Sequence, residues 1–261
     1  MTPPPTVLHW PGGGTWAPSN LANLAVWYKA DSLSQANNST VSLWPDSSGA
    51  SRNLTGYQSV TFKHNQIGGL PAVELTGGFL QRSTWTGFPA TNDAVTAAGV
   101  VTFTSTQMFL SASDSGTARL DILRTETSTL RQLRRQGSNY RYCDGPTNLA
   151  TGARVLVAAK SAAGVASHRV DGTQHSVQYF LGSNLNVPTS VTPALLTIGG
   201  LATGSGTATD RLANGSQVGE LCLIDSDLPQ ADKERLEGYL AHKWGLTANL
   251  PSSHPYKSSA P

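Results

Sequence analysis

A chain of 261 residues with 13% charged side chains and a net charge of +2 carries no global field that would hold nucleic acid or an anionic membrane surface. Its hydrophobic fraction of 38%, with six Trp, seven Tyr and six Phe, excludes disorder throughout and supplies a sizeable core at roughly 25 cal/mol per Å² buried. No run approaches the ~18 apolar residues that a membrane-spanning helix requires.

In chain order, residues 1–19 hold Pro3, Pro4, Pro5, Pro11, Gly12, Gly13, Gly14 and Pro18, a composition of extended or irregular backbone that packs no core alone. We read them as an arm, separate from a domain over 20–261. The arm nevertheless carries Val7, Leu8, Trp10 and Trp16. Exposed apolar groups of that size imply docking, either on the chain's own domain or on a neighbouring protein. Its start lacks the basic and apolar regions of a secretory signal, so no such export is expected.

From Leu24 the pattern becomes short apolar runs between turn residues: Leu24 to Tyr28, Val41 to Trp44, Val60 to Phe62, Ala72 to Leu75 and Val100 to Phe103. Such spacing predicts a multi-strand antiparallel sandwich, punctuated at Asp46-Ser47-Ser48-Gly49, Gly68-Gly69-Leu70-Pro71 and Asp144-Gly145-Pro146. The stretch Arg119 to Tyr142 reads as a hairpin turning near Glu126 to Ser128. Val155 to Lys160 reads as a strand, and Asp171-Gly172 within alternating residues predicts a second hairpin. Strands at Leu195 to Ile198 and Val218 to Ile224 complete the set. Trp27 and Trp44 are expected between the sheets.

One long helix is predicted over 229–244, where Leu236, Tyr239, Leu240 and Trp244 fall on one face. Pro229 suits its first turn, and Asp232 and Glu234 suit its positive end. His242 and Lys243 suit its negative end, and Gly245 supplies a left-handed stop. Lys233 and Glu237, one turn apart, read as a surface pair of small effect. In the tail, Leu250-Pro251 and His254-Pro255-Tyr256 are expected to fold Tyr256 back onto Trp244. The fold expected is therefore all-β: a two-sheet antiparallel jelly-roll sandwich with one C-terminal amphipathic helix.

Several of these segments resemble a known family. Gly219-Glu220-Leu221-Cys222-Leu223-Ile224, Glu237-Gly238-Tyr239-Leu240-Ala241, Lys243-Trp244-Gly245-Leu246 and His254-Pro255-Tyr256 are similar to the C-terminal signature of laminin G-like, concanavalin A-like lectin domains of bacterial surface and phage virion proteins. Trp44-Pro45-Asp46-Ser47-Ser48-Gly49 and Gly69-Leu70-Pro71-Ala72-Val73 resemble earlier parts of the same family. The resemblance spans about residues 20 to 256. It implies a β-sandwich, of an architecture that includes glycosidases as well as lectins. Domains of this kind often hold one calcium in rim loops, for which Asp114, Asp144, Asp171 and Asp210 are placed. None shows the dense spacing of a dedicated site, so no cofactor is expected and each reads more simply as a turn residue.

Catalytic patterns are sparse. Sugar cleavage needs two carboxylates about 5 to 9 Å apart, whereas Glu74, Glu126, Glu220, Glu234 and Glu237 are scattered. The chain contains no Gly-x-Ser-x-Gly elbow. Its glycine runs lack the Gly-Lys-Ser/Thr ending of a phosphate loop. Cys143 and Cys222 are two thiols or one bridge. Cys143 with His168 or His175 allows thiol chemistry by spacing alone, against an inert buried thiol.

For sugar binding the best cluster is Tyr140, Arg141, Tyr142 and Asp144. Aromatic faces stack on sugars and planar donors flank them, with both tyrosines on one side of a strand and Arg141 on the other. Buried tyrosines and solvated arginines are the plainer alternative. With Arg124, Arg131, Arg134 and Arg135 these arginines could instead meet acidic neighbouring subunits. The sequence thus leads us to expect a non-enzymatic bacteriophage virion protein, a capsid decoration or tail-associated protein. Its partners would be capsid or tail structural proteins and host-surface polysaccharide, and it would be a homo-oligomer on a particle. A bacterial cell-surface or secreted carbohydrate-binding module is the alternative, and a glycoside hydrolase a third.

Overall fold

The structure, a computed structural model, describes residues 16–103, 107–114, 118–126, 129–146, 149, 151–211 and 215–261. The chain enters through β1 (Leu24–Lys29), β2 (Leu43–Trp44), β3 (Leu54–Tyr57), β4 (Val60–Ile67), β5 (Leu70–Leu75) and β6 (Phe79–Arg82). There follow β7 (Val95–Phe103), β8 (Gln107–Ser113), β9 (Ala118–Glu126), β10 (Thr129–Gln136), β11 (Asn139–Asp144) and β12 (Gly152–Lys160). Last come β13 (Ala166–Val170), β14 (Thr173–His175), β15 (Gln178–Phe180), β16 (Leu195–Ile198), β17 (Leu201–Gly204), β18 (Thr207–Thr209), β19 (Ser216–Ile224) and the helix α1 (Gln230–Lys243).

One sheet runs β14-β13-β12-β7-β19-β5-β4, with β1 also paired to β19; the other runs β15-β11-β10-β9-β8-β16-β6-β3-β2. β17 and β18 form a separate hairpin. All pairings among the described strands are antiparallel. Tyr28, Trp44, Phe62, Leu80, Phe109, Leu120 and Ile122 are fully buried in the main core. The hairpin between β13 and β14 turns through Asp171 and Gly172, at φ 49° and 79°, which a two-residue turn with right-handed strand twist requires.

The sheet that carries β19 is covered on both faces, by the second sheet inside and by α1 outside. That is why β19 is buried at every position except Gln217, a pattern that a strand with one wet face cannot show. Gly219 makes room for the helix: a Cβ there would lie 2.8 Å from the Trp244 ring. The helix ends as its sequence implies. Gly245 adopts φ 67°, and Leu246 N–H donates to Ala241 O at 2.7 Å. Pro229 lies just outside the helix as its N-cap, not in its first turn.

Glu220 fastens this layer together. Fully buried on β19, its carboxylate accepts the indole N–H of Trp27, the indole N–H of Trp244 at 2.8 Å and the Lys243 ammonium at 2.7 Å. Asp46, in the turn after β2, accepts the backbone N–H groups of Trp27, Ser48 and Arg52, which explains an Asp at that place in the turn.

Three sequence expectations change here. Trp27 lies under α1, edge-on to Tyr239 at 6.3 Å, because Tyr28 takes the inward side of β1. Glu237 is no surface group. It is fully buried, receives both Nε (2.6 Å) and Nη2 (2.9 Å) of Arg169, and faces His254 Nε2 at 3.2 Å, while Lys233 pairs with Asp227. Tyr256 does fold back, but over Gly238, where an added Cβ would meet it at 2.5 Å; Trp244 is already covered by β19.

Candidate functional site

The outer face of the nine-stranded sheet is divided. The β17–β18 hairpin lies over β6, β8 and β16, where Ser111 Oγ donates to Gly200 O (2.6 Å), Ser113 Oγ to Ala202 O (2.8 Å) and Gln81 Nε2 to Gly204 O (3.1 Å). The rest of the face belongs to β9, β10, β11 and β15.

Strict alternation along β9 would put Asp121 and Arg124 on opposite sides. Instead the register slips: Leu133 of β10 pairs with Asp121, yet Arg131 pairs with Arg124. This bulge lets Ile122 and Leu123 both enter the core and returns Arg124 to the side of Asp121. Arg119 then clamps the buried Asp121 through Nε (2.7 Å) and Nη2 (2.8 Å), and Arg124 Nη1 adds a contact at 3.2 Å. Asp210, trailing the hairpin, reaches Arg119 at 3.4 Å.

Beside this group stands an aromatic stack. Arg131 holds Asp144 in a bidentate pair at 2.6 and 2.8 Å and lays its guanidinium 4.5 Å from the Tyr142 ring centre. On the other side of Tyr142, Phe180 stacks at 4.8 Å with an interplanar angle of 9°. Since β11 runs between β10 and β15, Tyr142 is enclosed on both ring faces. Arg135 covers Tyr140 at 4.9 Å.

The structure thus brings Tyr140, Tyr142 and Asp144 onto one face. It turns Arg141 to the other, where its Nη1 donates to Tyr140 O at 2.9 Å. Tyr142 does not offer the open platform that the sequence suggests, since Arg131 and Phe180 occupy its faces, and Arg135 covers one face of Tyr140. Phe180, unnoticed in the sequence, is the half-buried ring at the end of the stack on the edge strand. Next to it Leu181 is 63% exposed at φ 59°, a left-handed conformation that a branched side chain rarely adopts. The apolar run Tyr179-Phe180-Leu181 in an otherwise polar stretch is the signal that could have drawn attention to it.

Other sequence candidates take definite places. Asp171 is held by Arg154 at 3.0 Å and by Val155 N–H, and burial raises its pKa. With Asp144 and Asp210 also engaged by arginines, these three are cation-paired. Asp114 lies just after β8. Among the described residues no three His, Cys, Asp or Glu side chains gather as a metal site.

Cys143 and Cys222 are separate buried thiols, not one bridge. Cys143 Sγ does lie 3.6 Å from His168 Nε2. Burial pushes the thiol up to about 12 and the imidazole down to about 3, so no thiolate–imidazolium pair forms there. Arg134, expected among solvated or subunit-facing arginines, is fully buried between the sheets. Of the arm, Val7, Leu8 and Trp10 lie outside the described residues. Trp16 packs on its own domain, edge-on to Tyr239 at 6.0 Å.

Neither a protein-family model nor a curated protein matches the chain. Solved structures do match in fold. A botulinum neurotoxin type C chain, whose cell entry depends on interaction with two ganglioside molecules, superposes with a TM-score of 0.60 at 7% identity, over 84% of this chain and 51% of that one. Domain 4 of AbnA, an extracellular arabinanase from Geobacillus stearothermophilus in complex with arabinotriose, gives 0.56 at 14%, over 80% of this chain and 95% of that one. Trypanosoma rangeli sialidase in complex with sialic acid gives 0.53 at 16%, over 85% of this chain and 33% of that one. The chain spans about half the length of the toxin chain it matches. At these identities the likeness is one of fold, that of a β-sandwich domain.

Proposed function

We propose that this chain is a non-enzymatic carbohydrate-binding domain whose binding face is the outer side of β10, β11 and β15. The observation that carries the reading is the Arg131–Tyr142–Phe180 stack, ending in a ring on the edge strand beside the exposed, left-handed Leu181. A sugar ring would lie on Phe180, and the Asp144–Arg131 pair would offer acceptors and planar donors to its hydroxyls. The three fold neighbours, described with a ganglioside, arabinotriose and sialic acid, support a glycan as the ligand. The carboxylates of this face support binding over cleavage. Asp121 and Asp144 are each clamped through both oxygens by an arginine, an arrangement ill suited to a group that must take up and release a proton.

A glycan array probed with the wild-type chain and Phe180→Ala tests this. Binding by the wild type that falls at least tenfold in the variant, with unfolding midpoints unchanged, is the expected result. Equal binding by both chains would move the site elsewhere, and turnover of any arrayed glycan would replace a binding module by an enzyme.

As the setting we propose display on a bacteriophage virion, bound to capsid or tail proteins. The apolar arm with Val7, Leu8 and Trp10 supports this reading as the means of attachment. Deleting residues 1–15 should then abolish incorporation into particles while leaving glycan binding intact; normal incorporation would refute it.

A further inference from the structure

Directly beneath the candidate face, the space between the sheets turns from apolar to polar. The buried apolar side chains form a main core and a separate small cluster of Cys143, Ala166 and Leu185. Where the second begins, β10 turns Gln132 and Arg134 inward, β11 turns Cys143 inward and β13 contributes His168, and all four are fully buried.

Arg134 is only partly satisfied there. Its Nη1 donates to Asp121 O at 3.0 Å and Leu133 O at 2.9 Å, whereas Nε and Nη2, both buried, have no partner among the described residues. Gln132 donates to Ala159 O through Nε2, yet its Oε1 is unpartnered, as is His168 Nδ1. Buried donors without acceptors are rare because each forfeits its hydration for nothing.

The unpartnered atoms form a particular edge of the guanidinium. Elsewhere in this chain Arg119, Arg131 and Arg169 each use their Nε and Nη2 atoms to hold both oxygens of a carboxylate, Asp121, Asp144 and Glu237 respectively. Arg134 presents the same fork, and among the described residues no acidic side chain fills it. The Asp121 carboxylate is turned to the opposite face and held by Arg119. The neighbouring interior cation, Lys160, directs its ammonium to the backbone carbonyls of Asn92, Asp93 and Ser161.

We propose that Arg134 seats a small planar oxyanion of carboxylate size between the two sheets, held on its Nε–Nη2 edge with Gln132 and His168 as polar neighbours. The shared chemistry is a trigonal group with two oxygens spaced for the fork, as in nitrate, formate or bicarbonate; a spherical halide cannot meet both donors equally well. Because Arg134 also donates to the backbone oxygens of Asp121 and Leu133, the seat braces the strands that carry the outer face.

The test uses the full chain, refolded from denaturant in sodium nitrate, sodium formate or sodium chloride at equal ionic strength. Nitrate and formate are expected to raise the unfolding temperature over chloride, by a few degrees at tenfold excess over the dissociation constant. The rise should vanish in Arg134→Met. An equal rise in the variant, or none in the wild type, overturns the proposal. Should Arg134→Met not fold, a crystal structure of the wild type grown in nitrate decides. Planar trigonal density on Nε and Nη2 supports the seat, and separate water peaks there overturn it.

Discussion

Acidification from pH 7.5 to 4.5 probes the buried imidazole of His168. In the folded chain burial is the largest influence on this group and lowers its pKa from 6.5 to about 3. The unfolded chain protonates it near 6.5, so between 6.5 and about 3 the unfolded state binds the additional proton. Stability from this group is therefore complete above pH 6.5 and is lost as the pH falls toward 3. Each unit is worth about 1.36 kcal/mol, and pH 4.5 lies two units below the unfolded value, which gives a loss of about 2.7 kcal/mol. Urea unfolding of the wild type and of His168→Gln at pH 4.5, 5.5, 6.5 and 7.5 measures it. Every other ionisable group is common to both chains, so the difference between the two curves isolates His168. That difference should shrink by about 2.7 kcal/mol across the range; parallel curves would refute the assignment of a neutral, desolvated imidazole.

Two further substitutions test the helix layer. Glu237→Gln leaves the buried Arg169 guanidinium without its carboxylate and is expected to cost about 3–5 kcal/mol in urea unfolding at pH 7; a loss below 1 kcal/mol would place the pair in solvent. Gly219→Ala drives a methyl group against the Trp244 ring, for an expected loss of about 1–3 kcal/mol together with a shift in tryptophan fluorescence.

Much of the architecture is legible in the sequence because it rests on local patterns. The continuous apolar runs of β7, β12 and β19 declare strands covered on both faces. The stripe of Leu236, Leu240 and Trp244 with Gly245 after it declares a helix and its end. The parts that stay hidden depend on partners far away in the chain. Glu237 lies one turn from Lys233 and so reads as half of a surface pair, yet its true partner, Arg169, is 68 residues distant. Arg134 and Arg135 are adjacent and look alike; only the inward set Leu130, Gln132, Arg134 separates them, and nothing local explains a guanidinium on an inner face. The β9 bulge defeats alternation at Asp121 and Arg124, because a register slip is decided across strands. For the candidate face, Tyr140, Tyr142 and Asp144 were legible from their period of two. Phe180 was not, since its strand is three residues long and pairs with β11 across the three intervening strands β12, β13 and β14.

The position of β19 governs how such a chain can be made. It is the last of the described strands but an inner strand of its sheet, bonded to β7, β5 and β1, and its Glu220 meets Trp27 across 193 residues. During synthesis β1, β5 and β7 leave the ribosome long before the strand that joins them, so their pairing edges wait unprotected. Assembly of this sheet must accordingly wait for β19, and loop closure over such spans makes it slow.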